Sequence, residues 1–289
     1  LRVLKMAWVA ALLLGMLAGP VWGMDRAELA RRLQPGMNYH YRIGAEYRLT
    51  DSGNELSVRF GFGIGMEVLE VDGAGNALAR IGLHSLTVRM AGPAGPMLDF
   101  DSAQPLQPAN PAHRILAALP GLSYTVRFAP SGQVLEVKGL DESIRQLNQK
   151  LPNLPEKKML LQNIQARLAF TTLLGMAVNP DLLPAEPVGV GDSWQGSSVL
   201  EYLGMTLTAD DRFQLAELNE ANALIRVDST LRPVQAGGEQ FTGRQQGEIR
   251  IDTATGWPVS LRLEQEFAAT ATQDGKQVVM KGLTTLEPF

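Results

Sequence analysis

The chain has 289 residues, 26 basic and 30 acidic side chains, a formal net charge of −4 and no cysteine. The missing cysteine excludes disulfides, thiolate metal sites, a cysteine nucleophile and a lipid anchor on an N-terminal cysteine. The mildly acidic balance argues against nucleic acid, or an anionic membrane surface, as the main partner.

Arg2 and Lys5 precede an apolar run from Met6 to Leu17, broken by Gly19 and Pro20. Val21-Trp22-Gly23 then suits a cut after Gly23. This reads as a secretory signal peptide over residues 1–23, too short for a membrane span. Its removal takes two basic groups and no acids, moving the net charge from −4 to −6. No later apolar run has membrane length, so the expectation is a periplasmic or secreted protein without a mature membrane span.

The rest divides into a β half at 24–138, a helical connector at 139–182 and a second β half at 183–289. Asp25, with Glu28 three residues on, suits the cap of a short helix that turns Leu29 and Leu33 inward and stops at Pro35-Gly36. From Tyr39 to Leu49 apolar and polar residues alternate, the pattern of a half-buried strand. Val58, Phe60, Phe62, Ile64, Met66 and Val68 then line one face of a long strand, and Gly61, Gly63 and Gly65 the other. A glycine row inside a strand is not a phosphate loop, which opens a helix. It lets the sheet bend, or another segment approach closely. Strands are expected at Ala77–Met90, Met97–Phe100, Tyr124–Phe128 and Val134–Val137, with a short helix at Pro111–Leu119.

The connector carries Leu140, Ile144, Leu147 and Leu151 at helical spacing, with Asp141 and Glu142 in the first turn, where the helix dipole favours acids. Pro152 ends that helix and Pro155 suits the start of a second. There the apolar stripe widens through Leu160, Ile164, Leu168, Leu173, Leu174 and Ala177, so it should be buried along most of its length. Packing on a sheet to complete the core is the simpler reading. Closing a sheet-lined cavity around an apolar ligand is the other.

The second half is expected to run as strands near 199–217, 222–233, 243–252, 257–272 and 276–286. Three matches in the same order point to an internal duplication: Asn76–Ile81 with Asn222–Val227, Val126–Val134 with Ile249–Val259, and Pro35–Tyr39 with Val190–Trp194.

Candidate chemistry is thin. Gly191-Asp192-Ser193 looks like an esterase block, but His40, His84 and His113 all lie upstream and no Asp-x-x-His follows, so a turn is the better reading. The histidines lack metal spacing. Asp99 and Asp101 share a strand face that could hold Ca²⁺ weakly, although solvated or turn roles are commoner. Phe289 at the terminus suggests an outer-membrane barrel, but Pro288, Glu287 and Thr285 do not fit one.

Three features together resemble a family of exported bacterial proteins of uncharacterised function. They are Phe100-Asp101-Ser102, the Phe128–Val134 hairpin followed by Gly139, and Leu183-Pro184 leading into Pro187-Val188-Gly189-Val190-Gly191-Asp192-Ser193-Trp194. The resemblance spans nearly all of the chain after residue 23. It implies the β-rich architecture and the exported location, and it brings no activity.

The sequence therefore predicts a mainly β (α+β) protein, two related antiparallel halves joined by a helical segment packed on the sheet. It predicts no enzyme, cofactor or metal. The function expected is binding or carrying a hydrophobic or amphipathic small molecule, such as a lipid, with Phe60, Phe62, Ile64, Leu168 and Leu174 at the site. The alternative is a non-catalytic envelope structural or protein-interaction module. If residues 1–23 act as read, the intact mass of the exported protein begins at Met24 or an immediate neighbour; a mass retaining Arg2 and Lys5 would refute the cleavage.

Overall fold

The computed structural model describes residues 26–51, 53–105, 111–151, 174–202, 205–234, 239–271 and 277–289. The expected leader and the second connector helix as far as Leu173, Leu168 included, lie outside them. Twelve strands are present: β1 (Asn38–Asp51), β2 (Asn54–Val71), β3 (Ala77–Gly92), β4 (Gly95–Asp101), β5 (Ser123–Phe128), β6 (Val134–Lys138), β7 (Ser193–Tyr202), β8 (Met205–Leu218), β9 (Asn222–Pro233), β10 (Glu239–Asp252), β11 (Pro258–Ala271) and β12 (Gln277–Pro288). Two short helices, α1 (Pro111–Leu116) and α2 (Leu140–Lys150), and a 3₁₀ turn at Gly175–Val178 complete the described elements.

All the strands belong to one antiparallel sheet, ordered β6-β5-β3-β2-β1-β12-β11-β10-β9-β8-β7, with β4 on β3. The sheet is not divided into two halves, because β1 pairs with β12 from Tyr41–Pro288 to Asp51–Val278. The local sequence matches do share geometry. Gly36 and Gly191 both have positive φ, and each N–H bonds into the following hairpin, to the carbonyls of Val68 and Leu215.

Two expectations fail for identifiable reasons. The segment after Asp25 is an extended strap, not a helix. Its backbone is claimed elsewhere: Ala27 bridges Val188 and Arg32 N–H donates to the Thr255 carbonyl at 2.8 Å. The strand expected at 199–217 is two strands, since Tyr202 faces Met205 and the chain reverses between them. Helix α2 ends as read from Pro152, with Leu151 already extended. It packs on β5, burying Leu147 and Leu151, and Ser143 Oγ donates to the Ser123 carbonyl at 2.7 Å.

The bare face of β2 is covered by its neighbour. A Cβ at Gly61, Gly63 or Gly65 would fall 2.4, 2.3 or 2.5 Å from Thr87, Ser85 or His84 of β3. The ladder slips between Gly63 and Ile64, leaving His84 as an extra residue in β3; such a bulge bends a sheet.

The sheet curls strongly. β2 and β7 stand seven places apart in the strand order, about 34 Å in a flat sheet at ~4.8 Å per strand. Yet Phe60 and Phe62 of β2 share one cavity with Val199 and Leu200 of β7. Across the curl, Phe128 of β5 meets Trp257 at 5.8 Å, and Trp257 meets Tyr39 at 5.5 Å. The convex face carries exposed cross-strand ion pairs, among them Arg59–Glu46, Arg80–Glu67, Arg226–Glu248 and Arg244–Asp228. Each adds little stability alone.

Arg31 pins the strap to the core. It is 7% exposed, donates to the carbonyl of Ser131, and reaches those of Ala177 and Asn179 at 3.4 and 3.2 Å. Burial lowers its pKa to about 10, so it stays charged at neutral pH. Arg31→Met leaves these carbonyls without their donor and is expected to lower the unfolding free energy by about 2–3 kcal/mol, read as an earlier urea midpoint. An unmoved midpoint would mean that the carbonyls find other donors.

Candidate functional site

The concave face is apolar at both ends and polar across its middle. Successive strands carry inward residues at every second position. On β8 these are Leu207, Ala209, Asp211, Phe213 and Leu215, each nearly or fully buried. The register aligns Asp211 with Ser229 on β9, Ser229 with Gln245 on β10, and Gln245 with Gln265 on β11. The row ends at Gly282 of β12 and Tyr47 of β1.

This belt separates two hydrophobic clusters. Phe213, Ile225, Ile249, Leu263 and Leu286 belong to the main core, and Leu207, Ala209, Leu231, Phe267 and Met280 to the smaller one. Asp211, Ser229, Gln245 and Gln265 are 3%, 0%, 1% and 3% exposed. Gln265 Nε2 donates to Gln245 Oε1 and to Thr284 Oγ1, both at 3.3 Å. Asp211 Oδ2 accepts from Asn179 Nδ2 at 3.1 Å and from Ser198 Oγ at 2.9 Å. Burial raises the Asp211 pKa; the donors Ser198 and Asn179 oppose that rise, and Asp181 adds to it.

Beside the belt lies a cavity of about 780 Å³. Ile43, Ala45, Tyr47, Phe60 and Phe62 form one wall, Val199, Leu200 and Ala209 another, and Leu261, Leu263 and Leu286 part of the floor. Leu174, Met176 and Val178, from the end of the connector, close one side. Gln245, Gln265, Thr284, Ser198, Asn179 and Asp210 are among its polar lining residues. Of the residues singled out from sequence, Phe60, Phe62 and Leu174 thus meet at one cavity. Ile64 is fully buried in the main core and does not line it, and Leu168 lies outside the described residues. The two glutamines were not singled out. Their signal was present: one polar residue interrupting the apolar face in each of four consecutive strands.

The other motifs resolve into structure. Gly191 turns the chain at φ +96, while Asp192 accepts from Gly189 N–H and pairs with Arg26 at 2.9 Å. Trp194 stacks on Phe213 at 5.7 Å. Asp99 pairs with Arg89, and Asp101 caps a turn by accepting from Ala103 N–H. Strand register brings His40 and His84 to 6.0 Å, a meeting that their sequence spacing hides. Among the described residues no three potential metal ligands gather, and no helix is long and apolar enough to cross a membrane.

The chain belongs to a family of unknown function, DUF6263, whose model matches residues 74–258. No curated protein matches it. Among solved structures it is similar to lipovitellin, in a study of lipid–protein interactions in that protein, with 11% identity and a TM-score of 0.50. That alignment covers 89% of this chain and 25% of the lipovitellin chain, so this chain spans a quarter of that protein's length; the likeness concerns the fold alone. An outer membrane channel from Pseudomonas putida F1 aligns over 90% of this chain and 97% of its own, at 9% identity and a TM-score of 0.28. A DUF1329 family protein from Desulfovibrio piger aligns over 85% and 84%, at 7% identity and 0.14. At those scores neither informs the fold.

The raised pKa of Asp211 has a sign that can be checked. The folded state holds this proton to a higher pH than the unfolded chain, whose value is near 3.8. The Asp211 contribution to stability therefore falls as pH rises from about 3.8 through the raised value. Asp211→Asn should remove that decline, so that the difference between variant and wild type in urea unfolding shifts in favour of the variant from pH 4 to pH 7. A difference that shifts the other way would show that the donors outweigh burial.

Proposed function

We propose that this DUF6263 member binds an apolar or amphipathic small molecule, lipid-like in size, in the concave cavity. The observation that carries this reading is the cavity itself, about 780 Å³, walled by Phe60, Phe62, Leu174, Leu200 and Leu261, with polar residues from several strands among the apolar ones. Ligand pockets have this composition, and volumes of roughly 300–1,000 Å³. Phe60 and Phe62 are only half-buried although they point to the concave side, so a ligand would cover apolar surface that the chain leaves open. The fold likeness to lipovitellin, studied for its lipid–protein interactions, is in keeping with this reading. Export, from the leader read at residues 1–23, belongs to the same proposal, as does a binding role in place of an enzymatic one. The charged convex face supports a water-facing exterior, since hydrocarbon around those ion pairs would cost several kcal/mol.

The second reading, an envelope interaction module, is favoured by the sheet's two terminal strands. Leu135 and Val137 of β6 are 48% and 43% exposed, and Val199 of β7 is 66% exposed. Such edges can pair with another chain.

Native mass spectrometry of protein purified without detergent distinguishes the two. The binding reading predicts a stoichiometric adduct, extractable into organic solvent and lost in Phe62→Asp while circular dichroism keeps the β-sheet signal. A bare apo mass that stays unchanged after incubation with envelope lipids would transfer the case to the interaction module.

A further inference from the structure

Resting on the binding reading above, we infer that Gln265, with Gln245 and Thr284, forms a polar subsite that takes the uncharged, hydrogen-bond-donating head of an acyl amphiphile. Gln265 is 3% exposed and lines the cavity. Its Nε2 is engaged by Gln245 and Thr284. Its Oε1 is buried and has no hydrogen-bond partner among the described residues. An orphaned acceptor in an interior is costly, so a carbonyl oxygen left this way is matched by a donor from water or ligand.

The chain makes room for that oxygen. It lies over Gly282, where a Cβ would stand 2.9 Å from Gln265 Oε1 and 2.9 Å from the Tyr47 ring. The subsite is thus a space framed by an amide, a threonine hydroxyl and an aromatic ring, continuous with the apolar wall of Phe60 and Phe62. A hydroxyl or amide N–H satisfies Gln265 Oε1, and the attached acyl chain covers the phenylalanines.

Charge selects against anions. The subsite offers an acceptor oxygen, Asp211 lies three positions from Gln265 along the same row, and Asp210 lines the cavity. No lysine, arginine or histidine lines the cavity among the described residues. A carboxylate or phosphate head would shed its water here beside carboxylates, at considerable cost.

The test compares lipids of one chain length by displacement of the neutral probe N-phenyl-1-naphthylamine. The probes are 1-monopalmitoylglycerol, which carries hydroxyl donors, methyl palmitate, which carries none, and palmitoyl lysophosphatidylglycerol, which is anionic. Wild type should prefer the monoacylglycerol over either by about tenfold or more. Gln265→Met, which keeps the volume, should bring monoacylglycerol and methyl palmitate to near equality by weakening only the former. Gly282→Ala, which crowds the amide oxygen, should reduce the same preference and serves if Gln265→Met does not fold. Equal affinities in wild type, a preference for the anionic lipid, or a preference that survives both variants would overturn the subsite while leaving the cavity as an apolar binder. If neither the naphthylamine nor any lipid binds, the binding reading falls and the subsite with it.

Discussion

The pairing of β1 with β12 makes one molecule of this sheet. Residues near the two ends of the described chain, Tyr41–Asp51 and Val278–Pro288, lie side by side along the whole ladder. Cross-strand pairs contribute about 0.2–1 kcal/mol each, and this ladder must also offset the entropy of closing a loop that contains most of the chain. Its effect is positional as well as energetic. It sets Ala45 beside Thr284 and Tyr47 beside Gly282, so that the transverse row begun on β8 continues onto the strand that neighbours Phe60. A slip of one residue here would turn the inward face of β1 outward.

Curvature follows from what the strands place on each side. On the convex side, Thr87, Ser85 and His84 of β3 lie over the bare glycines of β2, and the ladder slips there. On the concave side, Trp257, Phe128, Tyr39 and Phe213 fill one end. The belt then interrupts a face that apolar residues would otherwise fill. Leucine or valine at positions 229, 245 and 265 would join the two clusters into one core at no hydrogen-bonding cost. Within the row, Gln265 Nε2 donates to Gln245 Oε1 of the aligned strand, a contact that holds only in the observed register of β10 and β11.

Much of this was legible because period-two alternation is a strong signal. The bounds of β1, β3, β5 and β9 lie close to where alternation and turn residues put them. What was lost required long-range knowledge. The strap looked helical because Asp25 and Glu28 form a capping box on paper, but backbone bonds to Val188 and Thr255 take its polar groups. Two related halves were read because the approaches to β1 and β7 are alike, and they are; nothing local announces that β1 will find β12 and make one sheet. Phe60, Phe62 and Leu174 could be picked out as apolar neighbours, whereas Gln265 counts as a polar residue in a strand until register sets it against Gln245.

Burial along β1 and β2 explains why the site is where it is. Tyr41 and Ile43 are buried while Ala45 and Tyr47 are half-buried. On β2, Ile64, Met66 and Val68 are buried while Phe60 and Phe62 are not fully covered. The two less buried stretches coincide, because antiparallel register sets Ile43 against Phe62 and Ala45 against Phe60, and burial returns at Val58. The packed end owes its filling to Trp257, α2 and the strap, all of which approach from that side. Beyond Ile43 the filling thins at Ala45, Phe60 and Phe62, beside the belt, before the smaller cluster of Leu207, Leu231, Phe267 and Met280. A curled sheet packed on both sides of such a gap presents apolar walls with a polar row beside them. An amphiphile has the same division of chemistry.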